Sequence, residues 1–258
     1  MASRHPPSHT NLSVNLNKVA LLRNSRGGRR PDPLHIARLS IEAGAEGLTL
    51  HPREDARHAT LEDVLAFAKL EAVRDGRVEL NVEGDLRSDL MRTAVAAHAQ
   101  QFTIVPVMPG EVTSTRGWRA YDDQDALKRA VEFFKDGPRV ALFIDPEEES
   151  VRLAAAAGVA AVELYTGLYA TNFGSDIASQ QLEALAEAAA LARSLGMRVN
   201  GGHDLDTVNL PAFIGRVRPE EVSIGHALTA DALEHGWQAT VRAYRAAIAM
   251  GHRANAAS

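Results

Sequence analysis

The residues best equipped for chemistry in this chain stand at the ends of short apolar runs. The runs are LSVNLN, GLTLH, VELNVE, FTIVP, VALFID, AVELYT, MRVNGGH and EVSIGH. They carry Asn15, Asn17, His51, Glu83, Asp145, Glu163, Asn200, His203 and His226. A histidine titrates near neutral pH and moves protons in either direction. The densest cluster is His51-Pro-Arg-Glu-Asp-Ala-Arg-His58. Its imidazoles could relay protons and its arginines, Arg53 among them, could grip a phosphate or carboxylate. The plainer reading is a solvated loop with internal ion pairs. Glu83 is either a proton carrier or the partner of a nearby arginine, and both readings stay open. Alternation puts Glu163 on the strand face opposite Val162 and Leu164, and an inward glutamate there needs a cationic or polar partner.

His203 follows two glycines, and Asp204 or Asp206 is expected to cap the next helix. Gly225-His226 precedes the last helical stretch. A glycine at a helix start in that place is the usual phosphate seat of barrel enzymes, because backbone N–H groups bind the anion. Lysine occurs only at Lys18, Lys69, Lys128 and Lys135, and Lys18 alone lies near a strand end. It could form a Schiff base with a ketone. The simpler role, positive charge for a bound phosphate, carries more weight. His35, His98, His235 and His252 lie on or beyond helices and read as surface or packing residues.

Placing so many strand ends together requires a scaffold of alternating strands and helices. Strands are expected at 12–17, 47–51, 78–83, 102–105, 139–144, 161–164, 197–200 and 221–224. Helices are expected from Pro33 to about Ala43, at 61–73, 86–98, 126–134 and 147–157, and along the Leu182, Leu185, Ala189 stripe. The last helix is marked by Leu233, Trp237, Val241, Tyr244 and Ile248. An arginine-rich segment follows the first strand, and long loops are expected at 106–125 and 166–175. This grammar predicts an α/β fold, a single-domain (β/α)₈ TIM barrel with its chemistry at the C-terminal rim. A doubly wound sheet would show a glycine-rich turn after the first strand, where this chain has Asn-Leu-Asn-Lys. Residues 1–10 read as a loose tail, 11–250 as the barrel and 251–258 as a second tail.

The 258 residues suit one barrel, and 45% hydrophobic content supplies a core. A net charge of −5 argues against nucleic-acid binding. With no cysteine there is no disulfide, thiolate nucleophile or cysteine-ligated metal. The N-terminal MASRHPPSHT lacks the apolar core of a signal peptide, and no apolar run approaches the roughly 20 residues of a membrane helix. A soluble cytoplasmic protein with no membrane partner is expected.

Taken in order, VNLNKVALLRNSRGG, PDPLHIARLSIEAGAEGLTLHPREDARH, LNVE, EVTS, ALFID, VELYTGLYA, VNGGHDL and SIGHAL resemble the pyridoxine 5′-phosphate synthase family of deoxyxylulose-dependent vitamin B6 biosynthesis. The resemblance runs from Leu12 to about Ile248. It implies a barrel with extra helices, assembled from dimers into an octamer. The implied reaction condenses 3-amino-2-oxopropyl phosphate with 1-deoxy-D-xylulose 5-phosphate, giving pyridoxine 5′-phosphate, phosphate and water without metal or organic cofactor. Carried over by position, His51 and Glu83 match the proton acceptors, His203 the proton donor, and Glu163 the residue that stabilises charged transition states. Asn15, Arg26, Gly225 and His226 match the grip on the amino ketone phosphate. Arg53, His58 and Thr113 match the grip on deoxyxylulose phosphate. The arginine at the Arg26 position reaches a neighbouring subunit's site in that family, and the 106–125 loop resembles its lid.

Three positions depart from the family pattern. Asn17-Lys18 stands where Asp-His is common, Val107-Met108-Pro109 where the lid is often charged, and Asp204 where glycine is frequent. Asn17, Lys18 and Asp204 are still expected at the substrate. Two rival functions are a metal-dependent barrel enzyme, with His51, Glu83, His203 and His226 as ligands, and a non-catalytic binder of phosphorylated ligands.

Overall fold

The structure is a computed structural model describing residues 5–106, 116–120 and 122–256. Eight parallel strands pair in chain order and close into a barrel. They are β1 (Asn11–Asn15), β2 (Gly47–Leu50), β3 (Glu79–Gly84), β4 (Gln101–Ile104), β5 (Arg139–Ile144), β6 (Ala161–Tyr165), β7 (Arg198–Gly202) and β8 (Glu221–Ile224). Closure comes from β8 on β1, with Leu12 beside Val222 and Val14 beside Ile224.

The strand alternation divides the molecule into two environments. Leu12, Val14, Leu48, Leu50, Leu80, Val82, Phe102, Ile104, Leu142, Val162, Leu164 and Val199 are all buried among the apolar faces of the helices, which is where the hydrophobic core lies. The opposite faces line the lumen, and they are polar. Ser13 and Thr49 share a 2.7 Å hydroxyl hydrogen bond, and Thr103 donates to Asn81 at 2.9 Å. Asn200 of β7 donates across the lumen to Gln101 of β4 at 3.1 Å. Buried polar side chains survive by pairing in this way. At the N-terminal end Arg139 pairs with Glu79 and Gln101 beside the buried Glu221. Burial, with Glu79 next in weight, raises the Glu221 carboxyl to about 8.

The helices are α1 (Asn17–Asn24), α2 (Pro33–Glu42), α3 (Leu61–Phe67), α4 (Glu71–Arg74), α5 (Ser88–Ala96) and α6 (Gln124–Phe133). After them come α7 (Glu148–Ala157), α8 (Gly167–Thr171), α9 (Asp176–Ser194), α10 (Leu210–Val217), α11 (His226–His235) and α12 (Trp237–Ala256). Local chemistry starts several of them. The Asp32 side chain accepts from Leu34 N–H ahead of Pro33, and Thr60 and Asp63 form a reciprocal capping box on α3.

The strands fall within one or two residues of expectation, while the helices depart more. The first expected strand stops at Asn15, and the arginine-rich segment after it begins with α1. The helix expected over 61–73 breaks into α3 and α4 around Leu70, and the loop expected over 166–175 contains α8. The last helix divides at Gly236, which takes φ +80° between α11 and α12. α12 runs through residues 251–256, so most of the segment read as a C-terminal tail is helical. At the other end, Thr10 is buried, donating to Pro219 O at 2.6 Å and meeting His252 Nε2 at 2.9 Å. Among the described residues no helix is long and apolar enough to cross a membrane.

Candidate active site

A cavity of about 320 Å³ opens at the C-terminal ends of the strands. Asn15, Asn17 and Lys18 line it from the end of β1 and the start of α1, and His51, Arg53 and His58 from the segment after β2. Glu83 enters from β3, Glu163 from β6, His203 and Asp204 from beyond β7, and Gly225 and His226 from the β8–α11 junction. These residues are far apart in sequence and meet because the barrel closes. Two expected residues are not among them. Arg26 is exposed beyond the end of α1 and does not line the cavity, and Thr113 lies outside the described residues.

The first strand end organises the second. Asn15 Oδ1 accepts from Asn17 N–H at 3.1 Å, and Asn17 Oδ1 accepts from His51 N–H at 2.8 Å. The His51 backbone is thereby tied to β1. The following loop is strapped from α1: Asn24 Nδ2 donates to the carbonyls of Ala56, Arg57 and His58 at 3.0, 3.1 and 2.7 Å. Beside it Arg23 grips Asp63 with two hydrogen bonds of 2.6 and 2.8 Å. The 51–58 run is therefore a fastened loop, with Arg53 and His58 both buried. The buried Nδ1 of His58 has no hydrogen-bond partner among the described residues.

Burial sets the protonation of the rim. His51 falls to about 3, chiefly through burial and then through the charges of Arg53, His58, Arg87 and Arg57. His58 falls to about 4 by burial, followed by Lys18 and Arg53. The carboxyls move the other way. Glu83 rises to about 8 through burial and then the charge of Glu221, against a weak 3.4 Å hydrogen bond from Asn15. Glu163 is pushed well above the ordinary carboxylate range by burial and then by Glu83. Among the described residues the charge that adds to this shift is another carboxyl, that of Glu83. Gly202, across the β6–β7 pair, is what leaves it room: a Cβ there would stand 2.3 Å from Glu163 Oε1.

His203 and Asp204 occupy left-handed backbone at φ +89° and +56°, a region that non-glycine residues avoid. The His203 ring packs against Tyr165 and Phe143, with centroids 5.3 and 5.6 Å away. His203 Nδ1 lies 3.9 Å from Asp204 Oδ2, and His203 is the first cause of the lowered Asp204 carboxyl, with His226 and Lys18 adding to it. The expected helix cap at Asp204 is therefore not found. Asp206 Oδ1 instead accepts from Val208 and Asn209 N–H, building the turn that leads to α10. Gly225 is the N-cap of α11, whose first N–H groups open beside the cavity.

Asp145 and Asn200 stand outside the cavity. Asp145 accepts from Gly117 N–H at 3.0 Å and Arg119 Nε at 2.9 Å, pinning residues 117–119 to the end of β5. Phe143, Tyr165 and Thr166 contact His203 without having been signalled in the sequence. Two are ordinary members of apolar runs and the third reads as a loop residue. Among the described residues no group of three or more histidine, aspartate or glutamate side chains is placed to hold a metal ion, so the four-ligand reading of His51, Glu83, His203 and His226 finds no matching geometry.

The family model described as pyridoxal phosphate biosynthesis protein PdxJ matches residues 12–250. A pyridoxine 5′-phosphate synthase from Xanthomonas axonopodis pv. citri (strain 306) is 43% identical over 252 residues, covering 94% of this chain and 98% of that protein. One from Parabacteroides distasonis is 42% identical over 242 residues, covering 93% and 99%. In fold alone the chain is similar to a solved structure of the Amycolatopsis orientalis BexX/CysO complex, with TM-score 0.63, 14% identity, and 100% and 95% of the two chains covered. With the family match spanning the whole barrel, the chain belongs to the PdxJ family of pyridoxal phosphate biosynthesis proteins.

Proposed function

We propose that this chain is a pyridoxine 5′-phosphate synthase. It would condense 3-amino-2-oxopropyl phosphate with 1-deoxy-D-xylulose 5-phosphate, releasing phosphate and water by general acid/base catalysis. The observation that carries the reading is the meeting of His51, Glu83, Glu163 and His203 with two candidate phosphate seats on one cavity. The amine of one substrate attacks the ketone of the other, so the imine needs no enzyme lysine. Each following step, loss of hydroxyl, carbon–carbon bond formation and loss of phosphate, moves a proton. His51, neutral at physiological pH, takes protons from the substrates. Glu83, raised to about 8, does so from the minor fraction that is ionised at neutral pH, and His203 returns protons to departing oxygens from the opposite rim. Glu163 offsets positive charge on an iminium nitrogen.

Two phosphates need two seats. In this reading the start of α11 at Gly225-His226, with Asn15, holds the amino ketone phosphate by backbone N–H groups. Arg53 and His58, with Lys18 as a further cation and Thr113, hold the deoxyxylulose phosphate. Asn17 fixes His51, and Asp204 stands beside His203 at the substrate. Arg26, exposed and outside its own cavity, supports assembly as a dimer-based homo-oligomer in which it serves a neighbouring site. A cytoplasmic location belongs to the same proposal. Purified protein given both substrates should release phosphate and form pyridoxine 5′-phosphate, with turnover unaffected by a chelator. Binding of both substrates with no product would favour the non-catalytic reading. Mixing Arg26→Ala with His51→Ala subunits and recovering activity tests the shared site.

A further inference from the structure

We propose that Thr166 is a positioning residue for His203, holding its left-handed turn so that the imidazole faces the substrates. Thr166 is fully buried at the N-cap of α8. A threonine in that position ordinarily turns its oxygen toward the free N–H groups of its own helix. Here the side chain makes no such bond. Its hydroxyl instead lies 2.5 Å from both Gly202 O and His203 O, and its backbone N–H donates to Gly202 O at 3.0 Å. A single hydroxyl proton shared between two successive carbonyls requires those carbonyls to converge. The His203 backbone, at a left-handed φ of +89°, sets the relative direction of those two carbonyls.

The rest of the turn is fastened from the same side. Asn209 Nδ2 donates to Asp204 O at 3.2 Å, and Tyr169 of α8 donates through its hydroxyl to Asn209 O at 2.7 Å. Tyr165, the residue before Thr166, stands edge-on to the His203 ring. The end of β6, which carries Glu163, and the turn after β7, which carries His203, are thus joined through one side chain. Without the hydroxyl, His203 O loses this donor and Gly202 O keeps the Thr166 N–H, so the turn is free to relax toward ordinary backbone at His203. The imidazole would then move relative to the substrates while the phosphate seats, on other elements, stay in place.

The consequence for turnover rests on His203 acting as a proton donor in the proposed reaction; the placement of its ring does not. The test compares Thr166→Val, which keeps the shape and removes the donor, with Thr166→Ser, which keeps the donor. Kinetics with both substrates are read beside the His203 imidazole NMR signals, assigned with His203→Asn. Thr166→Val should lower kcat roughly 10- to 100-fold, the scale of a misplaced catalytic group. KM for each substrate should move less than about threefold, since both phosphate seats lie on other elements. Thr166→Ser should restore kcat, and the His203 signals should shift in the valine variant only. Wild-type kcat in Thr166→Val, or a serine variant as slow as the valine one, would overturn the proposal. Unchanged His203 signals would do so even if the wild-type protein showed no turnover. If Thr166→Val does not fold, Thr166→Ala carries the same comparison with serine. Full activity in His203→Ala would sink the catalytic reading of His203 and leave the NMR arm to decide Thr166.

Discussion

Replacing Glu83 by glutamine should make the protein more resistant to unfolding at alkaline pH while removing most of its activity. In the folded chain the Glu83 carboxyl is raised from 4.5 to about 8, first by burial and then by Glu221. The sign follows from linkage. Below about pH 4.5 the group is protonated in both states and costs nothing. As pH rises further the unfolded chain ionises and the folded one resists, so stability drains away until pH passes the folded value. Each tenfold change in proton concentration in that window costs about 1.4 kcal/mol, for a total on the order of 5 kcal/mol above pH 8.

A glutamine of the same shape carries no such cost and leaves an oxygen for Asn15. It also removes the charge that helps raise Glu163, an effect of the same sign. Urea unfolding of wild type and Glu83→Gln at pH 6 and pH 9 measures the difference, and every other titrating group cancels in the comparison except those coupled to Glu83. The advantage of the variant should grow by roughly 3 kcal/mol between the two pH values, with the denaturant slope unchanged. Its kcat should fall by about 100-fold or more, as for loss of a general acid or base. Parallel pH profiles for the two proteins would refute the account of a buried, reluctant carboxyl. Retained activity would refute its catalytic role.

Asn17→Ala removes the acceptor of the buried His51 N–H and should cost about 1–3 kcal/mol in chemical denaturation. Arg23→Ala breaks the paired contact with Asp63 next to the Asn24 strap, and should raise KM for deoxyxylulose phosphate several-fold with little change in kcat, read by steady-state kinetics. Gly202→Ala forces a methyl against Glu163 Oε1 and should lower kcat by about tenfold or more in a protein whose circular dichroism shows it folded.

The barrel was legible because each strand states its own role: apolar residues at alternate positions, closed by turn residues and a polar end. α1 was not, because NKVALLRN has no side-chain N-cap and only a weak apolar stripe. The division at Gly236 was hidden for a related reason, since the apolar spacing of α11 and α12 reads through it. At the site, residue identities were readable and their surroundings were not. Glu163 was expected to need a cation or polar partner, but its charged neighbour is Glu83, three strands away around the barrel. Asp204 and Asp206 both looked like caps because sequence distance to the next helix suits either. The backbone turns left-handed first, and Asp206 takes up the local N–H groups. Arg26 was reachable only through family resemblance.

Desolvation penalises charge of either sign, so one environment drives His51 down and Glu83 up. At neutral pH the site therefore holds a neutral base, His51, and a mostly neutral acid, Glu83. After burial, the largest influence on His51 is Arg53, followed by His58, Arg87 and Arg57. A phosphate seated on Arg53 and His58 would offset that positive field, and the imidazole would become a stronger base when the substrate arrives. Inorganic phosphate is enough to test this. An imidazole NMR titration should show His51 gaining its proton at higher pH in saturating phosphate than in chloride of equal ionic strength. The gain should be lost in Arg53→Ala. A His51 titration indifferent to phosphate would mean that the arginine cluster binds its anion elsewhere, or that burial alone sets the basicity of this residue.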